Sequence, residues 1–136
     1  MTRRPDIAPF PDAEDVWVRY IAAKLEEPDT RVSTETQPDA RFVKIVRVGG
    51  VARSMFTDEP TIAFECYDTY ADDAMALTQR VRAIVSNARG RQLVDGIVCK
   101  GYTEFSGPAN LPDPNHESTR YSWTAATALH PTGTEN

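Results

Sequence analysis

The segment Thr61-Ile-Ala-Phe-Glu-Cys-Tyr67, together with the residues that follow it, decides the fold. Its apolar residues alternate, which predicts a strand, whereas from 69 to 88 they recur with a period of about 3.6, which predicts a helix. Asp95-Gly96 then forms a turn into a second predicted strand at 97–105. The three elements make a βαβ unit, for which we expect parallel strands and a right-handed crossover.

The rest of the chain supplies one more helix and three more strands. Prolines predict an irregular arm over 1–11, and Asp12 is expected to cap an amphipathic helix that ends before Pro28. Alternating β-branched and aromatic residues predict strands at 30–36, 41–48 and 119–129. The predicted fold class is α+β, a single domain over 12–129 in the order α-β-β-β-α-β-β, with a flexible tail at 130–136. Its mixed sheet has about five strands, and neighbours outside the βαβ unit are expected to be antiparallel.

The composition is typical of one globular core, with 136 residues, 40% hydrophobic and 26% charged, and a net charge of -5. No apolar run approaches the roughly 20 residues that span a bilayer, and no signal-peptide core follows the first residues. We therefore expect a protein of the cytosol, or of an assembly built there, with no membrane partner. The acidic balance argues against a dedicated nucleic-acid binder.

Charged residues are grouped by sign along the chain. Every charge from Arg41 to Arg53 is positive, and every charge from Asp58 to Asp73 is negative. One interpretation is that these blocks neutralise one another within the fold. The other is that they form complementary faces for self-association, and it makes four residues candidates for an interface with another subunit. These are Arg47, Arg53, Asp58 and Glu59.

The segment 106–117, between the last two predicted strands, is the part of the chain most suggestive of function. It carries three prolines, and a loop of this length in a compact domain is unusual unless it has a role. Prolines also reduce the entropy that is lost when a loop becomes ordered at an interface. The segment adds Pro108, Leu111, Asp113 and His116 to the interface candidates. The alternative is a passive connection that only spans the distance between two strands.

Reaction centres are not indicated. The chain has no phosphate-binding glycine motif, and Gly49-Gly50 is expected to be a turn. His116 and His130 fit no metal-ligand spacing, and Cys66 and Cys99 fit neither a zinc nor a disulfide pattern. Both thiols lie in strand patterns and are expected to be reduced and buried, although a Cys66–His116 or a Cys99–His116 dyad stays open as an alternative. We therefore predict that the protein is not an enzyme and has no metal or cofactor.

Four segments of the chain resemble tail terminator proteins of long-tailed, siphovirus-type bacteriophages, particularly those of actinobacterial hosts. They are the opening helix at 11–20, the strand and its approach at 58–67, the Gly-Pro-Ala-Asn-Leu-Pro-Asp-Pro run at 107–114, and Thr-Arg-Tyr-Ser-Trp-Thr at 119–124. The likeness covers about residues 11 to 129 and rests on element order and on the spacing of these motifs.

The resemblance implies a structural virion protein that forms a ring, usually hexameric, at the head-proximal end of the tail. Such a ring caps the tail tube, ends polymerisation of the tube protein and offers the surface to which the head docks. The implied partners are other copies of the chain, the tail tube protein and head–tail connector proteins, with DNA only in transit through the channel and assembly in the host cytoplasm. The alternatives are a phage neck or head-completion connector, and a small ligand-binding regulatory domain with a ferredoxin-like sheet.

Overall fold

Two helices pack on one face of a five-stranded mixed sheet in the computed structural model, which describes residues 8–131. The elements are α1 Ala13–Leu25, β1 Arg31–Ser33, β2 Phe42–Ala52, β3 Asp58–Asp68, α2 Ala71–Ser86, β4 Ile97–Asn110 and β5 Thr119–Pro131. This arrangement confirms the predicted α+β class, the element order and the number of strands. The predicted arm at 1–11 and tail at 130–136 lie largely outside the described residues. The tail prediction is wrong for residues 130 and 131, because β5 continues through them.

The first helix begins and ends where the sequence predicts. The Asp12 carboxylate accepts the Asp15 N–H at 3.2 Å, as an N-cap does. The helix ends at Leu25, and the C-cap residue Glu26 adopts a left-handed conformation with φ 57°. Trp17 lies at the centre of its buried stripe, and the indole N–H donates to the Thr127 hydroxyl of β5 at 3.0 Å. This bond satisfies the one polar group of a fully buried indole and fixes α1 over the sheet.

The strand order is β1-β2-β3-β5-β4, so the predicted βαβ unit is split by the last strand. Because β5 is antiparallel to both β3 and β4, those two strands are parallel to each other, as predicted, but they are not neighbours. The expectation of antiparallel neighbours holds for three of the four pairs. It is wrong for β1, which pairs with β2 in parallel over Arg31–Ser33.

Gly49-Gly50 is not a turn, which corrects the prediction. Both glycines lie within β2, where the register against β3 shifts between Arg47 and Gly49. Gly50 has φ 118°, and a Cβ there would lie 2.3 Å from the carbonyl oxygen of Glu59. Only glycine tolerates both conditions. The strand therefore continues to Ala52.

The proline-rich loop is shorter than predicted. Residues 106–110 extend β4, and the connection to β5 spans 111–118. Pro108 is tolerated because β4 is at the edge of the sheet, where one side of the strand needs no backbone donor. Register shifts on both sides of Ser106 show that the ladder is irregular there.

The main core lies between the helices and the sheet. Its large members are fully or almost fully buried, and Phe64 stacks on Trp123 at a centroid distance of 4.8 Å. Cys66 and Cys99 are both buried, as predicted. A second, smaller cluster lies on the helix-free face, where Phe42 stacks on Tyr67 and His116 packs against both rings. It buries Phe42 at the start of β2, on the face opposite Val43 and Ile45, whereas Val48 further along the strand is exposed.

Candidate subunit-contact surfaces

Ion pairs within the chain join part of the basic block to part of the acidic block, whereas Asp72 and Asp73 take part in none of the ion pairs between residues 8 and 131. Arg47 Nη1 donates to Asp58 Oδ2 at 2.5 Å and Nη2 donates to Oδ1 at 3.1 Å, and the Asp58 residue is only 4% exposed. Arg53, the first residue after β2, pairs with Glu59 of β3 at 2.5 Å. The intramolecular interpretation is therefore confirmed for these four residues. Their charges are already matched and are not free for a partner.

Local geometry holds the Arg47 guanidinium in place. Its Nε donates to the Gly49 carbonyl at 3.0 Å, and the backbone N–H of Arg47 donates to Glu14 at the start of α1 at 2.8 Å. The hydrogen bond with Asp58 raises the pKa of Arg47, although partial burial opposes the shift. The pair is thus a structural tie between β2 and the first residues of β3.

Exposed apolar side chains lie at the tip of the β2–β3 hairpin, where the sequence analysis named only charges. Val48, Val51 and Met55 are 57%, 50% and 67% exposed. Because β1 pairs only with residues 42–44 of β2, the rest of β2 is an edge of the sheet in the described structure. We call Val48, Val51 and Met55 the hairpin patch. The broken alternation after Arg47 was the sequence signal that could have revealed it.

A second exposed apolar group lies on the opposite edge of the sheet. Phe105 of β4 is 60% exposed and Leu111, just beyond the end of β4, is 49% exposed, with the half-buried Pro108 between them in sequence. We call Phe105, Pro108 and Leu111 the β4 patch. Two of its members were predicted interface residues, whereas Phe105 was missed because the sequence analysis placed it at a strand end.

Asp113 and His116 anchor the 111–118 loop to the sheet. The Tyr67 hydroxyl donates to Asp113 at 2.9 Å, and His116 Nε2–H donates to the Gln37 carbonyl at 2.9 Å while Nδ1 accepts the Ser118 N–H at 3.0 Å. The Asn115 backbone N–H and then the Tyr67 hydroxyl lower the pKa of Asp113. These two candidates hold the loop in place, whereas Leu111 is exposed at its start.

An open depression of about 420 Å³ lies beside this loop. Thr69, just before α2, lines it together with the loop residues His116, Glu117 and Ser118, and with Pro38 from the β1–β2 connection. The depression therefore adjoins the N-terminal end of α2.

Between residues 8 and 131 no group of three or more His, Cys, Asp or Glu side chains could hold a metal ion. Burial raises the pKa of Cys66 to about 12 and also raises the pKa of Cys99, which disfavours the reactive thiolate. Neither helix of the described part is long and apolar enough to cross a membrane.

Comparison with known proteins adds no relative: no family model and no curated protein matches the chain.

Proposed function

We propose that this protein is the tail terminator of a long-tailed bacteriophage, a structural protein that forms a ring on the head-proximal end of the tail tube. The proposal starts from the sequence resemblance given above. The observation that carries it furthest is the placement of the hairpin patch and the β4 patch on opposite edges of one sheet. A subunit with two different contact surfaces on opposite sides associates head to tail, and such contacts close into a ring when the rotation permits.

The chemistry of the two patches suits a contact between proteins. Aromatic residues and methionine are enriched in protein interfaces, and each patch adds apolar area that water would otherwise cover. The patches are small, since each holds only three residues. Two free subunits joined by one such contact would bind weakly. The closed ring on the tube end would be more stable, because each subunit then makes several contacts at once.

The 111–118 loop is the proposed docking element for the tube or the head connector. Its anchors to Tyr67 and Gln37 hold it rigidly, so an interface formed by it would lose little conformational entropy. Within this proposal the protein resides in the virion and meets DNA only as DNA passes through the channel.

The experiment that tests the function is complementation of a phage that lacks this gene product. With the wild-type chain, tails should reach uniform length and join heads. Val51→Asp combined with Met55→Asp should give a folded protein that leaves tails overlong or unjoined. As a control for added charge, Ala83→Asp places a carboxylate on the exposed face of α2 and should complement normally. Normal tails with the doubly substituted hairpin would contradict the proposal.

A further inference from the structure

Three cations at one end of the molecule have no acidic partner in the described structure. Arg89, Arg91 and Lys100 are exposed, and none of the ion pairs between residues 8 and 131 includes them. The backbone brings them together, because the Gly90 N–H donates to the Cys99 carbonyl and the Cys99 N–H donates to the Arg91 carbonyl. We call Arg89, Arg91 and Lys100 the basic patch. The three arginines of the 41–53 block, by contrast, are all paired with carboxylates of the same chain.

An acidic surface lies at the opposite end of α2. Asp72 and Asp73 lie in the first turn of the helix, and Glu117 lines the depression beside it. All three are exposed and absent from the ion pairs of the described residues. Tyr70 precedes them and is 67% exposed, with no hydrogen bond from its side chain to cap the helix. We call Asp72, Asp73, Glu117 and Tyr70 the acidic patch.

The composition of the acidic patch favours a guanidinium as its ligand. Carboxylates accept charge-assisted hydrogen bonds from arginine, and an exposed aromatic ring offers a face on which a guanidinium stacks. The open depression between Thr69 and Glu117 leaves room for a long side chain to enter. If Asp72 and Asp73 served only to stabilise the N-terminal end of α2, neither the exposed ring of Tyr70 nor the depression beside it would be required.

We propose that the basic patch of one copy binds the acidic patch of a second copy, head to tail. A contact within one chain is excluded by distance, because the 16 residues of α2 separate the two patches by about 24 Å. Charge complementarity selects a second copy, since each chain carries both signs at opposite ends. This inference rests on the proposed ring and names a contact between its subunits. It takes the place of the contact predicted for Arg47 and Arg53, because the charges of those two residues are paired within the chain.

Sedimentation of the full chain over a wide range of concentration tests the contact. Self-association should weaken at least tenfold between about 0.05 M and 0.5 M NaCl, because salt screens exposed charges. Arg89→Glu with Lys100→Glu should weaken it at least tenfold at low salt. The matched control is Lys24→Glu with Lys44→Glu, which changes the net charge equally at cations outside the patch and should have little effect.

A mixture of two reversed variants gives the decisive readout. The variant Asp73→Lys with Glu117→Lys is basic at both ends and should not self-associate. The variant Arg89→Glu with Lys100→Glu is acidic at both ends. Mixed together, the two variants should form complexes in which they alternate. Circular dichroism checks that each variant is folded. If the wild-type chain self-associates and both charge-reversed variants self-associate equally well, this inference is overturned and the proposed ring is not. The same holds if a variant loses binding to DNA or to the tube protein but still self-associates normally. A wild-type chain that stays monomeric at every concentration and salt overturns this inference, and the proposed ring is overturned as well when the chain is also absent from the head-proximal end of tails.

Discussion

Replacing Arg47 with alanine should destabilise the fold, although the residue lies near the surface. The Asp58 side chain is 6% exposed and the Arg47 side chain 35%, so the substitution leaves an almost buried carboxylate without its partner. Breaking a buried ion pair costs about 3–5 kcal/mol, whereas exposed pairs contribute about 0–1 kcal/mol. Because Arg47 is partly hydrated, we expect an intermediate loss of about 2 kcal/mol. For a chain of this size that corresponds to a decrease in Tm of roughly 6–10 °C.

Urea unfolding followed by tryptophan fluorescence measures this loss, since Trp17 and Trp123 are both buried in the native state. Arg53→Ala is the matched control, because the Arg53 side chain is 63% exposed and should cost less than about 1 kcal/mol. Replacing both members of the buried pair, with Arg47→Met and Asp58→Leu, should restore part of the lost stability. Equal losses for Arg47→Ala and Arg53→Ala would refute the reasoning and return Arg47 to the list of free interface residues.

Three further predictions follow from burial and hydrogen bonding. Because both thiols are buried, reagents at about pH 8 should modify Cys66 and Cys99 about a hundredfold more slowly in the native state than in urea; equal rates would contradict their placement in the core. The hydrogen bond from Arg82 lowers the pKa of Glu104, so the stability it supplies is complete above the unfolded pKa of about 4.3 and is lost as pH falls through the lower folded value. Glu104→Gln should therefore show a shallower loss of unfolding free energy on acidification, and an unchanged slope would count against the pair. His116→Ala should cost about 1–3 kcal/mol in urea unfolding, because it uncovers the aromatic pair beneath the ring and leaves a backbone donor unpaired; a loss below about 0.5 kcal/mol would show that the loop is not anchored there.

The sequence predicted the elements of this fold better than their ends and their neighbours. Hydrophobic period depends on local burial, so both helices and the alternating strand at Ile62 and Phe64 could be found directly. The end of β4 could not, because Pro108 is compatible with a loop and equally with an edge strand, and only tertiary context decides which one forms. The prediction of a turn at Gly49-Gly50 was wrong for a similar reason, since glycine with positive φ is compatible with a tight turn and also with an irregular strand.

The candidate surfaces depended even more on tertiary placement. Charge blocks are visible in sequence, but the pairing of Arg47 with Asp58 depends on the register of β2 against β3. Leu111 was found through the proline-rich segment, whereas the basic patch became distinct only because the other arginines of the described residues are paired within the chain. Residue type alone cannot separate a neutralised charge from an unmatched one.

Electron microscopy of purified phage tails that carry a labelled copy of this chain tests the central claim most directly. The account predicts a single ring at the head-proximal end of each tail, with label at no other position along the tube. Label along the whole tube, at the distal tip or inside the head, or tails of normal length that lack the protein, would contradict it.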